Sequence, residues 1–457
     1  MTTTASTGTE REIGFWISTA LVIGNTIGIG IFMTPAALAP FGLNGMIGWL
    51  VTVIGCVGVA GVFAGLARLF PQDDGPYSYT MRAFGSDVAF FSVWCYWVSI
   101  WVTNATIAIG VVGYLSAIAP ALNNGPLVPP IAALVLVWIF VLLNLRGVRT
   151  AGGVQILTVA LKLVPMLAVM VLGLWVLLTS PGAYTQHVPT TPINHTDIAA
   201  ATTVALFAML GIECATIPAG RVRDPARTIP RATIFGTFLT ALIYISVFTV
   251  PLFLIPQDEL AKSSAPFADL LSRFLGHGYG ETLALFVVIS GLGALNGWTL
   301  MAGELTQSFS RHGTLPAALG KVNSRGAPTR ALLLTGVAAS VMLLGACFLQ
   351  QIHVTNSIAD VFTVLSVVVA SANLPLYLFC ALGVIVLRLR GDIGGLGRRE
   401  TLLLFAAVLA TLFSVWAFKG AGLISLLWAI GLGLIGVPIY VWMRRGQRAA
   451  VEARNRA

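Results

Sequence analysis

Gly24-Asn25-Thr26-Ile27-Gly28-Ile29-Gly30 occupies the centre of the first apolar run of the chain, residues 13–35. Each of these glycines costs a helix roughly 1 kcal/mol relative to alanine, so the segment predicts an unwound stretch between two half-helices. An interruption there leaves N–H and C=O groups without helical partners. Inside a bilayer such groups are tolerated only where they are buried in protein or line a cavity. The run therefore points to a broken membrane helix with a polar site at its break, although close helix packing is the other use of glycine at this depth.

The rest of the chain fits a bilayer. Of its 457 residues 57% are apolar and only 9% charged, against about 25% charged in soluble domains, which excludes an ordinary soluble globule. Apolar runs bounded by charge, Pro or Gly give twelve candidate spans: 13–35, 44–68, 87–117, 129–145, 153–179, 197–219, 231–254, 281–308, 329–349, 357–387, 400–417 and 421–443. At about 20 residues per span these use roughly 240 residues and leave no sizeable extramembrane domain. The first apolar run continues past signal-peptide length with no small-residue cleavage site, so the mature chain is expected to start at or near Met1.

The net charge of +9 would invite a nucleic-acid reading in a soluble protein. With the N-terminus placed inside, however, 22 of the 26 Lys and Arg fall on inner loops and tails, and only Lys262, Arg273 and Lys419 fall outside. That asymmetry is the positive-inside rule. It predicts both termini in the cytoplasm and removes the support for a nucleic-acid partner. Cys56, Cys95, Cys214, Cys347 and Cys380 all lie in apolar stretches, an odd count that offers neither a disulfide framework nor metal-ligand spacing. No metal or cofactor is expected.

The remaining basic residue, Lys162, lies well inside the fifth span, and Glu213 lies at the middle of the sixth. Charges at membrane depth are costly and face a cavity or a partner, which makes both functional candidates. Glu213 sits in Gly211-Ile212-Glu213-Cys214-Ala215, a weaker break signal at the position matching that of the first span. Paired interruptions in two halves point to a transporter's binding site and to an inverted repeat of five spans plus five. Counting depth at about 1.5 Å per residue brings Asn104, Phe207, Trp298, Ser371 and Asn373 near the midplane. Trp298 carries most information, because tryptophan favours the membrane interface and a central one implies a polar cavity or a bonded core indole.

Other classes fare worse. An intramembrane enzyme needs a nucleophile with its base, or metal ligands, at one depth. His187, His195, His277, His312 and His353 all lie in loops or at span ends. A channel needs rings of charge or carbonyls along a continuous pore, which two isolated charges do not supply.

These residues resemble the amino acid–polyamine–organocation superfamily, and most closely its bacterial arginine/agmatine and related basic amino acid/polyamine antiporters. The similarity runs through Gly24 to Phe32, then Tyr96-Trp97 and Asn104, then Gly211-Ile212-Glu213 with Asp224-Pro225-Ala226-Arg227-Thr228-Ile229-Pro230, and Gly297-Trp298-Thr299-Leu300. The resemblance implies an all-α integral membrane protein of twelve transmembrane helices with the leucine-transporter-like 5+5 inverted repeat, helices 1 and 6 being broken. Its parts are a tail 1–12, repeats 13–179 and 197–387, two further helices over 400–443, and a basic tail 444–457.

By that resemblance the amides of Gly28, Ile29 and Gly30 hold a substrate carboxylate. Carbonyls near Asn25, Thr26, Ile27, Phe207 and Leu210 take its ammonium group. Trp298 packs on the side chain, Asn104 bonds its polar end, Phe207 and Leu376 act as gates, and Glu213 is a proton-sensitive carboxylate. Ile29 stands where the arginine/agmatine antiporters share a serine, Phe207 replaces a tryptophan, and Leu376 replaces a tyrosine beside Tyr377. Lys162 instead resembles the span-five lysine of the cationic and neutral amino-acid transporters, whose ammonium occupies the place of a sodium ion.

The resulting expectation is a sodium-independent secondary active amino-acid transporter of the cell inner membrane, not an enzyme. It works by alternating access as an exchanger or a proton-coupled permease, with arginine/agmatine-type antiport as the alternative. Its expected partners are a small-molecule substrate, the lipid bilayer and a second copy in a homodimer.

Overall fold

The protein is described from a computed structural model covering residues 14–70, 75–146, 148–212, 222–311, 313, 315–351, 357–395 and 397–456. Its helices, in chain order, are α1 (Phe15–Thr26), α2 (Ile29–Leu38), α3 (Leu43–Leu69), α4 (Pro76–Phe84), α5 (Ser86–Ile118), α6 (Val128–Leu145), α7 (Val148–Thr179), α8 (Ala183–Gln186) and α9 (His195–Ala208). They continue with α10 (Pro225–Leu254), α11 (Gln257–Lys262), α12 (Pro266–Leu275), α13 (His277–Arg311), α14 (Thr329–Gln351), α15 (Ile358–Leu389), α16 (Arg398–Gly420) and α17 (Leu423–Arg456). No strand occurs among the described residues.

Among the described residues ten helices are long and apolar enough to cross a membrane: α3, α5, α6, α7, α10, α13, α14, α15, α16 and α17. The first expected span is instead the short pair α1 and α2, interrupted at Ile27-Gly28. Of the sixth, α9 forms the first half and stops at Ala208. The rest of that span, Glu213 included, lies outside the described residues. Apolar side chains such as Leu167, Val171 and Leu178 on α7 and Leu427, Leu434 and Ile435 on α17 are exposed. In water this would be an unusual surface; against lipid it is the expected one, and the chain is an integral membrane protein.

At the centre stands α5, packed most extensively on α13 and α15 and buried along nearly its whole length. The broken elements lie against this centre: α2 touches α5, α9 and α15, while α1 runs along α10. Glycines set how closely α9 is held. A Cβ at Gly48 of α3 would lie 2.7 Å from Ala201 Cβ and 2.9 Å from the Thr202 nitrogen. At Gly420, the end of α16, it would run into the Ala199 carbonyl. Hydroxyls complete the fixation, since Thr52 donates to the Thr202 carbonyl at 3.0 Å and Thr203 to the Ala417 carbonyl at 2.6 Å. Asn44 closes the entry to α9, donating to the Pro192 carbonyl and accepting from the Asn194 N–H.

Adding a methyl group to a filled contact costs about 1–3 kcal/mol. Gly48→Ala and Gly420→Ala are therefore each expected to lower the melting temperature of the purified protein, Gly420→Ala more, because its added carbon would overlap the neighbouring backbone more deeply. Thermal unfolding in detergent checks this, and melting at or above the parent value would show that α9 has slack.

Candidate functional site

The break in the first span is short and fully extended. α1 ends at Thr26, Ile27 has φ −74° and ψ 92°, and Gly28 has φ −122° and ψ −157° before α2 begins at Ile29. None of these is a left-handed conformation, so the glycines act here by weakening the helix and by leaving space. Two kinds of backbone group are freed. The first-turn amides of α2 have no intrahelical acceptor, and no side chain caps them. The Gly24 and Thr26 carbonyls lose the amides of residues 28 and 30, to which a continuous helix would have bonded them.

Both carbonyls are taken by side chains from distant helices. Lys162 Nζ on α7 donates to the Gly24 carbonyl at 2.7 Å, and the Tyr244 hydroxyl on α10 donates to the Thr26 carbonyl at 2.9 Å. Lys162 is 1% exposed and pairs with no carboxylate among the described residues. Its ammonium sits at the C-terminal, negative end of the α1 dipole. The Thr26 hydroxyl is turned back onto the Val22 carbonyl at 2.8 Å.

A partly open cavity of about 270 Å³ adjoins the break. Its wall is made by Thr26, Gly28, Ile29 and Gly30 from the break, Thr103 and Ile107 on α5, Phe207, Ala208 and Leu210 at the end of α9, and Trp298 on α13. Two close approaches shape it. A Cβ at Gly30 would lie 3.0 Å from Ala208 Cα and 3.3 Å from the Phe207 ring, and one at Gly110 on α5 would lie 2.7 Å from Ile29 Cγ1. One end of the cavity is covered by Phe207, which meets the Phe362 ring of α15 edge to face at 5.5 Å.

Seven of the candidate residues thus gather around one cavity: Thr26, Gly28, Ile29, Gly30, Phe207, Leu210 and Trp298. Ile27 is buried beside it, and the Asn25 backbone lies in α1 while its side chain is outside the described set. Asn104 is placed differently from its expected role. Its amide donates to the Ile100 carbonyl at 3.1 Å and accepts from the Thr299 hydroxyl at 3.0 Å, tying α5 to α13, while its neighbour Thr103 faces the cavity. Leu376 is buried about four turns beyond Phe362, some 21 Å along α15, so the ring that meets Phe207 is Phe362. Asn373 is buried with both amide atoms unbonded, and the Ser371 hydroxyl is back-bonded to Val367. Glu213 lies outside the described residues.

A second, open cavity of about 790 Å³ lies where α11, α12 and the start of α13 meet, with Glu259, Asp269, Arg273, His277 and Glu281 in its wall. Arg273 pairs with Glu259, and His277 stands 3.3 Å from Glu281. Burial raises the Asp269 carboxyl above its ordinary pKa, against the lowering effect of its hydrogen bond from Ser263. Among the described residues no group of three His, Cys, Asp or Glu side chains is arranged to hold a metal ion.

An integral membrane protein whose freed helix ends adjoin a cavity, and whose buried cation is bonded to that break, has the build of a carrier of small polar molecules. The chain belongs to the amino acid permease family, whose sequence model matches residues 13–444. It is similar to the cadaverine/lysine antiporter of Escherichia coli (strain K12), 29% identical over 434 residues that cover 94% of each chain. It is also similar to a putative arginine/ornithine antiporter of Bacillus subtilis (strain 168), 30% identical over 94% of this chain and 96% of the relative. The putrescine transporter PotE of Haemophilus influenzae is 27% identical over 94% and 97% of the two chains.

Tyr244→Phe leaves the ring in place and removes only the hydroxyl bonded to Thr26. It is expected to lower stability by about 0.5–1.5 kcal/mol, the net worth of one hydrogen bond, as read from thermal unfolding. An unchanged melting temperature would show that the Thr26 carbonyl has another donor.

Proposed function

We propose that the protein is a secondary antiporter of cationic amino acids, exchanging one for another or for its amine by alternating access across the cell inner membrane. The observation that carries this reading is the break itself. At one point it presents the negative end of α1 and the positive end of α2, which complement the ammonium and carboxylate of an α-amino acid. The amides of Gly28, Ile29 and Gly30 hold the carboxylate, and carbonyls of the α1 end and of Phe207 and Leu210 hold the α-ammonium. Trp298 stacks on the substrate side chain, where its ring face also accommodates a distal cation. Phe207 is the gate.

Three observations favour cationic substrates. The relatives above are named for lysine, arginine and ornithine, and for the diamines cadaverine and putrescine. The open cavity near α12 carries three carboxylates against one arginine. The cavity beside the break has the rings of Phe207 and Trp298 in its wall, whose faces suit a cation. In this reading the chain has twelve spans, with the first and sixth broken, a 5+5 inverted repeat and both termini in the cytoplasm, and the basic excess on inner loops supports that orientation. Lys162 does the work of a bound inorganic cation by bracing α7 against the break, and Glu213 is the proton-sensitive group.

Counterflow in proteoliposomes tests the proposal. Vesicles loaded with lysine are expected to accumulate labelled lysine or arginine, equally well when sodium is replaced by choline. Strict sodium dependence would overturn the role given to Lys162. Lys162→Ala should slow exchange at least tenfold. Trp298→Ala removes an aromatic contact worth about 0.5–1.5 kcal/mol beyond its area, so its half-saturating concentration should rise several-fold. A Trp298→Ala variant with parental affinity would return the residue to packing alone.

A further inference from the structure

We propose that the seam between α1 and α10 holds a file of water molecules that enters from the cytoplasmic end and reaches the break in the first span. The inference rests on the orientation proposed above, with α1 and α10 both starting at the cytoplasmic face. Five hydroxyls in this seam, on Ser18, Thr19, Thr233, Thr237 and Thr240, are at most 3% exposed and have no hydrogen-bond partner. Buried hydroxyls are nearly always bonded, to protein or to ordered water.

Their position is not scattered. Val22 of α1 meets Gly236 of α10, where a Cβ would lie 2.9 Å from Val22 Cγ1. Ser18 and Thr19 lie one helical turn before Val22, Thr233 one turn before Gly236, Thr240 one turn after it, and Thr237 beside it. One turn beyond Thr240 comes Tyr244, bonded to the Thr26 carbonyl. The five hydroxyls thus flank the line of contact on both helices and lead towards the residues that hold the break.

A helical threonine has an easy alternative to a missing partner, which is to donate to the carbonyl four residues back. Elsewhere in this chain Thr26, Thr34, Thr103, Thr106, Thr299 and Thr335 all do so, at 2.6–3.0 Å. The seam hydroxyls forgo that bond. A hydroxyl is both donor and acceptor, and a buried water makes about three bonds to such groups, so the row suits a chain of waters and no anion or cation. At its lower end α10 begins beside Arg227, whose side chain is exposed. At its upper end stand Tyr244 from α10 and Lys162 from α7, the ionisable side chains that bond the break, with no carboxylate among the described residues paired to either. Below the Tyr244 bond to the Thr26 carbonyl, water along this line joins α1 to α10 through replaceable solvent, so that this one stretch of the seam can open without breaking direct polar bonds.

Hydroxyl radicals produced by X-ray pulses in bound water label the side chains beside it. Tyr244 and Tyr114 are both 0% exposed and each donates to one backbone carbonyl, at 2.9 and 2.8 Å, Tyr114 also accepting from the Phe267 amide at 3.3 Å, so Tyr114 serves as the dry reference. In the substrate-free protein Tyr244 is expected to be oxidised at least five times faster than Tyr114. The triple variant Thr233→Val, Thr237→Val, Thr240→Val should bring Tyr244 down to the rate of Tyr114, while the corresponding Ser variant keeps the parental rate. Tyr244 labelling no faster than Tyr114 in the parent chain would overturn the proposal, whether or not the valine variant folds, as would an unchanged rate in a folded valine variant. Counterflow measured on the same samples is independent: its absence beside fast Tyr244 labelling would defeat the antiport reading and leave the water file standing.

Discussion

The bond from Lys162 to the Gly24 carbonyl is the constraint around which the centre of the protein is arranged. Burying an ammonium costs several kcal/mol. A hydrogen bond to a charged group returns about 1.5–3 kcal/mol, and a helix C-terminus up to about 2 kcal/mol in a partly buried setting. The two gains come close to the cost only if both are present, and the second requires α1 to stop where it does. A continuous helix would share the Gly24 carbonyl with the amide of residue 28, leaving the ammonium a second lone pair and no helix end. The break and the cation therefore depend on each other, and Tyr244 fixes the second carbonyl of the same break from the opposite helix.

That mutual dependence explains how the site is framed. With α1 held by α7 and α10, the start of α2 lies against the end of α9, and α9 is itself pinned between α3 and α16 through Gly48, Gly420 and the Thr52 and Thr203 hydroxyls. The cavity is the space between the break in the first span and the end of α9, with α5 on its third side and Trp298 on its fourth. Its floor and walls belong to rigid neighbours, while its charge comes from helix ends.

Much of this could be read from the chain alone. The glycine run located the break to within a residue or two, because helix propensity is a local property, and the buried lysine and the central tryptophan stood out by their energetic cost at that depth. What could not be read depends on rotation of helices about their axes. Asn104 was the polar choice on its helix, yet a turn of about 100° separates it from Thr103, and only packing decides which of the two meets the cavity. The same uncertainty hid Ile107 and Ala208. Phe362, not Leu376, meets Phe207 because the level at which α15 crosses α9 is set by contacts far apart in sequence. Tyr244 looked like one more apolar-span aromatic, and nothing near it marks the carbonyl it reaches 218 positions away. The short helices α4, α8, α11 and α12 fell in segments whose charge and proline content read as loops.

A cation supplied by a side chain differs from a cation supplied by the medium in one further respect. A bound ion has a dissociation constant, so its site fills and empties with the composition of the surroundings. An ammonium on a four-carbon stem has a fixed local concentration, set by the reach of the stem and the packing of α7. Occupancy at the Gly24 carbonyl is then a property of the fold, present wherever the chain is folded and the same in dilute and in saline media.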